Sequence, residues 1–173
     1  DSLGIDKNKP EKQQRNQTGS PILEEGDILL NTTLAETSDW QQVDLPVVST
    51  LRHFCIETLS SYTEDNQACI SEVDLLDDKG QPIDKTKWEV VYVSSEQADK
   101  NLGIAENLFD GDISSFWHTD PATEPGQPHR IIVDIKEIYK ISALRFKVRK
   151  GAFLSGKVKE INVYGRPQFF LFH

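Results

Sequence analysis

The 173-residue chain reads as all-β, an antiparallel β-sandwich of the jelly-roll kind with about eight strands. Three features predict this. Short apolar or alternating runs recur from Ile22 onward, at the length of strands rather than helices. Clusters of Gly, Pro and Asp punctuate them, at residues 77–82, 109–112, 120–128 and 149–156. No stretch sustains the helical period that would let an amphipathic helix bury one face.

Residues 1–20 are rich in Lys, Gln, Asn, Asp and Pro and hold almost nothing to bury. They cannot offset the entropy of ordering and are expected to form a disordered linker or leader. A single sandwich domain then spans residues 21–173, a length at which one core closes and two full domains would be cramped. Strands are expected at 27–30 and 42–45, short runs bounded by turn formers, and at 53–59 and 70–76, where apolar residues crowd together. The β-branched and aromatic run 88–93 and the near-continuous apolar run 130–135 also read as strands. Residues 141–148 and 157–164 alternate, as half-buried strands do. Residues 166–172 add a last strand, held to an edge or a strand start because Pro167 has no N–H to donate. Trp40, Trp88 and Trp117 are expected in the core, each needing a partner for its indole N–H.

Cys55 and Cys69 are the only cysteines, too few for a disulfide scaffold or an all-cysteine zinc site. If 51–59 and 68–76 fold back on each other about residues 61–63, the two lie within reach of a bridge. Otherwise they are buried thiols acting as small hydrophobes.

A net charge of -9 argues against a surface that tracks phosphates, so nucleic acid is not an expected partner. Anionic lipid would be repelled as well, and no apolar run reaches the roughly 18 to 20 residues of a membrane-spanning helix. The chain opens with neither Met nor an apolar signal segment and closes on the apolar run 169–172. It is therefore expected to be a monomeric module of a larger exported protein, secreted, periplasmic or at the cell surface. Asn16 and Asn31 stand in Asn-x-Thr sites, which matter only in a host that glycosylates them.

The most informative segment is AENLFDGDISSFWHTD, residues 105–120. Leu108 and Phe109 lead into the acidic turn Asp110-Gly111-Asp112, and Phe116-Trp117 return to the core, so the segment reads as an anchored loop. Two carboxylates one residue apart, a nearby hydroxyl and free carbonyls suit a hard cation, since calcium takes about six to eight oxygens in flexible geometry. The plainer alternative is an Asp-Gly turn.

This segment resembles the signature of discoidin (coagulation factor 5/8 type C) domains and of family 32 carbohydrate-binding modules. The resemblance continues through PHRIIVDI, YKISALRFKVRK and GKVKEINVYG and covers residues 88–165. It implies a galactose-binding-domain-like sandwich. Upstream, Asp39-Trp40-Gln41-Gln42-Val43, Leu51-Arg52-His53-Phe54 and Ile70-Ser71-Glu72-Val73 resemble strands that ordinarily come last in the family. Either the domain is circularly permuted, or residues 27–77 close one domain and 88–173 begin another.

The resemblance implies a structural calcium ion held by Asp110, Asp112 and Ser115, with Glu72 as the distant ligand in a permuted chain and Glu160 in its place otherwise. It also implies that His118 and Arg149 contact a galactose- or N-acetylhexosamine-type sugar, with Glu96 as an acidic contact and Tyr62 as a stacking ring. Phe153 is a second candidate platform. Each has a plainer reading: a satisfied core histidine for His118, a surface ion pair for Arg149. No nucleophile, base and pocket can be assembled from the sequence, the four His lack metal-ligand spacing, and no Gly-rich phosphate loop is present. The expected role is a non-catalytic, carbohydrate-binding part of a bacterial glycoside hydrolase. The alternative is a protein-interaction or structural sandwich without a glycan site.

Overall fold

A computed structural model describes residues 10–11, 15, 17, 19–63, 65–123, 126–149 and 156–173. Its strands are β1 (Pro21–Ile22), β2 (Ile28–Thr33), β3 (Gln41–Thr58), β4 (Cys69–Ile70), β5 (Glu72–Asp77), β6 (Glu89–Val93), β7 (Trp117–His118), β8 (His129–Lys147), β9 (Glu160–Arg166) and β10 (Leu171–Phe172). All pair antiparallel, as the sequence predicts for a sandwich.

The long strands β3 and β8 run side by side from Thr58↔His129 to Gln41↔Phe146 and form the spine of a six-stranded sheet. On one flank β9 pairs with β3 and β2 with β9. On the other, β5 takes the far end of β8 (Val73↔Phe146) and β6 the near end (Val90↔Val133). Strands from both halves of the chain thus alternate in one sheet. Two short ribbons, β4–β7 and β1–β10, complete the strands.

Alternation along the spine assigns the two faces. Phe54 and Ile56 of β3 and Ile131 and Val133 of β8 enter the main core with Trp88, Leu108 and Trp117. Cys55 and Ile132, one residue out of phase, join Tyr164 and Phe170 in a smaller cluster against which Leu23 and Phe172 pack. The β1–β10 ribbon therefore covers the opposite face of the sheet, and Ser20 and His173 exchange backbone hydrogen bonds of 3.1 Å.

Several expectations are corrected. The strands expected at 42–45 and 53–59 are one strand, β3, and those at 130–135 and 141–148 are one strand, β8. What read as connections are bulges. The register shifts between Asp44 and Ser49, so Pro46 sits where the ladder needs no donor. Lys136 takes φ of 74° with its N–H held by Asp134 Oδ1 at 2.8 Å. Cys55 and Cys69 do not share a hairpin: Cys55 lies between Ile132 and Tyr164, whereas Cys69 faces His118. Both thiols are free and buried, and burial pushes the Cys69 thiol up to about 12. Trp40 is not a core residue. It is 38% exposed, with the Arg145 guanidinium 4.9 Å from its ring centre, because it precedes β3 at the sheet end where a cation rather than an inter-sheet layer covers its face. Among the described residues, no helix is long and apolar enough to cross a membrane.

Candidate functional site

The acidic loop is held from both ends. Residues Ala105–Phe109 form a tight helical turn that buries Leu108 and Phe109, and Trp117 donates its indole N–H to the Ser95 carbonyl at 2.9 Å. Between these anchors Gly111 adopts φ of 79°, a conformation that favours glycine. Asp110 closes the loop on itself, accepting the Asp112 N–H at 2.9 Å through Oδ1 and the Ser115 hydroxyl at 2.5 Å through Oδ2.

Glu72 reaches this loop from β5, accepting the Gly111 N–H at 3.0 Å. Its other oxygen, Oε1, is buried without a hydrogen-bond partner. Burial pushes the Glu72 carboxyl up to about 7, opposed by the Lys85 ammonium and the Gly111 N–H and reinforced by the Asp110 charge. Lys85 also binds Asp74 at 2.6 Å. Asp110, Ser115 and Glu72 thus lie about one loop, through the Ser115–Asp110 and Gly111–Glu72 hydrogen bonds. Asp112 turns outward, its Oδ1 accepting the Ser114 N–H at 2.9 Å and hydroxyl at 2.6 Å. Glu160 accepts from Asn31 on β2 instead. Glu72 Oε1 is thus an orphaned buried carboxylate oxygen beside the acidic loop, but the Lys85 ammonium already pairs with Glu72, and among the described residues no group of three or more His, Cys, Asp or Glu is placed to hold a metal ion.

The four residues expected to contact sugar divide between two places. Tyr62 and Arg149 line one cleft of about 220 Å³, together with Glu36, Ser38, Lys157 and the floor residue Val158. Tyr62 is fixed by donating its hydroxyl to the Leu34 carbonyl at 2.7 Å. Arg149 lies over the Phe116 ring, 4.1 Å from its centre, a cation–π arrangement that sets the guanidinium at the cleft wall.

His118 sits beneath. Only 3% exposed, it meets Phe116 edge-on at 6.3 Å and its Nδ1 lies 2.5 Å from the Thr119 carbonyl, which assigns the proton to Nδ1. Burial pulls its pKa down, and the Arg149 charge adds to this against the Thr119 carbonyl. It supports the ring that supports Arg149 rather than lining the cleft.

Glu96 lies elsewhere, in a second cleft of about 370 Å³ that Ser95, Asp99 and Asp120 also line. Its carboxylate accepts the Ala105 N–H at 2.9 Å and ion-pairs with Arg15 at 2.7 Å. Arg15 also reaches Glu106 at 2.5 Å, and the side-chain amide of Gln17 accepts the Val93 N–H at 3.3 Å. Part of the expected leader thus lies on the domain. Phe153 and Asn16 fall outside the described residues. Sequence reasoning missed Glu36, Ser38 and Lys157, which come from the β2–β3 connection and the start of the β9 approach and share no spacing with Arg149.

Comparison with known proteins bears on the second half of the chain. Residues 90–168 match the family model of the F5/8 type C domain, just under half of the chain, from within β6 to just past β9. A sialidase from Micromonospora viridifaciens is 33% identical over 84 residues, which is 47% of this chain and 13% of that protein.

Proposed function

We propose that the chain is a non-catalytic carbohydrate-binding module serving a larger, exported glycan-processing enzyme, and that it takes galactose- or N-acetylhexosamine-type glycans. One observation carries the reading: Arg149, at the position the resemblance implies, and Tyr62 line one open cleft of sugar-residue size, on a chain whose residues 90–168 match the F5/8 type C family. The similarity to a sialidase supports a glycosidase as the parent enzyme. The hydrogen bond from Gly111 to Glu72 supports the permuted reading of the upstream strands, because it brings the expected distant Glu to the acidic loop.

An open cleft with one ring and a few forked polar groups binds a sugar weakly, at about millimolar to micromolar Kd, or roughly -4 to -8 kcal/mol. A glycan array followed by titration of each hit tests this. Wild type is expected to bind and Arg149→Gln to lose binding while keeping its melting temperature within a few degrees; no binding to any glycan overturns the reading. Calcium is proposed as a structural ion at Glu72, Asp110 and Ser115, where it would add to the Lys85 ammonium in offsetting the Glu72 and Asp110 charges. It is expected to raise the melting temperature of wild type and not of Glu72→Gln. An equal response of the two proteins removes calcium from the proposal.

His118 favours one further reading. Its burial removes it as a direct sugar contact, as expected of a protein-interaction or structural domain. The same array separates the two.

A further inference from the structure

We infer that the cleft at Arg149 selects acidic sugars, that is, pyranose rings carrying a carboxylate. This deepens the carbohydrate-binding reading above and rests on it. The chain as a whole carries a net charge of -9, yet this cleft is lined by two cations, Arg149 and Lys157, against one carboxylate, Glu36. Two more lysines border it. Lys147 donates to the Ser38 carbonyl at 2.6 Å, and the Lys159 ammonium stands 5.5 Å from the centre of the Tyr62 ring.

Arg149 makes no carboxylate ion pair among the described residues. It lies over the Phe116 ring. Asp65, the carboxylate on the neighbouring loop, is held by the Thr63 hydroxyl at 3.0 Å and by the Gln67 and Gly156 N–H groups at 3.1 Å rather than by the guanidinium. The guanidinium is therefore positioned by apolar and backbone geometry rather than by an internal counter-ion. A planar fork held in this way matches a carboxylate, which it receives through two parallel hydrogen bonds. Lys157 supplies a second positive charge, and the Ser38 hydroxyl and Tyr62 remain for the ring hydroxyls.

A positive cleft on an acidic protein also imposes selection against neutral competitors. A neutral hexose would leave the cation face hydrated and gain only hydrogen bonds exchanged with water, which are worth little net. A hexuronate gains a charge-assisted pair in addition.

The test is titration of the isotope-labelled chain, followed by NMR, with galactose, galacturonate, the methyl ester of galacturonate, and acetate. Galacturonate is expected to bind about tenfold or more tightly than galactose or the ester at low ionic strength, a factor that corresponds to about 1.4 kcal/mol. The advantage should shrink as salt is added. Lys157→Gln and Arg149→Gln should each remove it. Because Arg149 also packs on Phe116, the Lys157→Gln result stands alone if the Arg149 variant does not fold. Equal binding of galactose and galacturonate overturns the selection for charge and leaves the glycan reading in place. Acetate binding as tightly as galacturonate overturns it too, because the site is then one for simple anions. Binding of neither sugar overturns the selection for acidic sugars, and the glycan reading is then decided by the array.

Discussion

The two clefts of the molecule hold opposite charges and have resolved them differently. At Glu96 the chain supplies its own counter-ion: Arg15, 81 residues away, clamps Glu96 and Glu106 together, and both partners of the Arg15–Glu96 pair are largely buried. At Arg149 the cation rests on an aromatic ring, with no carboxylate ion pair among the described residues. The lesson is that an ionic residue marks a binding surface by how it is held, not by its presence. Glu96 and Arg149 were both candidates from the sequence, and their partners distinguish them.

The largest effect that would break this contrast comes from removing the ring under Arg149. Phe116 is 3% exposed, and Phe116→Ala is expected to cost about 3 to 5 kcal/mol in urea unfolding and to abolish ligand binding together with it. A smaller loss would mean that Arg149 and His118 hold each other without the ring.

Next is the clamp. Arg15→Ala leaves Glu96, 9% exposed in its side chain, with the Ala105 N–H as its remaining donor among the described residues, and is expected to cost about 1 to 3 kcal/mol while leaving glycan titrations unchanged. Improved sugar binding in that variant would make the second cleft a ligand site after all.

The pH response sharpens the contrast further. Burial lowers the folded-state pKa of His118, so the neutral form favours the fold. Its contribution is complete above the unfolded value of about 6.5 and is lost as pH falls through the lower folded value. Protonation there also sets a second positive charge near Arg149. His53 and His129 shift the same way, so wild-type stability measured by denaturant titration should fall below about pH 6.5, and His118→Asn should flatten part of that slope. An unchanged slope would show that His118 titrates normally.

The smallest effect is expected at Asp112, which is exposed and accepts the Ser114 N–H and hydroxyl within its own turn. Asp112→Asn should change stability by less than about 0.5 kcal/mol and leave any calcium response intact, in contrast to Glu72→Gln. Loss of the calcium response in Asp112→Asn would return that carboxylate to the ligand set.

Much of the fold was legible because strand periodicity and turn chemistry are local. The runs around Cys55, Ile132 and Asn162 were read at the right places, and the anchored loop was read from its aromatic pair and its Gly. The breaks were harder. A bulge and a turn use the same residue types, so Pro46 and Lys136 could not reveal that β3 and β8 continue through them. Trp40 shows the same limit: its type favours burial, and only its place at the end of the sheet leaves it to Arg145.

By itself the sequence determined the all-β class, the loop from Asp110 to Ser115, and Glu72 and Arg149 as residues worth following, since each rests on neighbours in the chain or on a motif that the chain itself carries. The tertiary structure decided which of them meet. Glu72 finds Gly111, Arg149 finds Phe116 and Tyr62, and Glu96 finds Arg15 across separations for which local sequence holds no signal. Such contacts follow from strand pairing over the whole sheet, whose register is set when one buried face is assembled, and so they come into existence only with the fold.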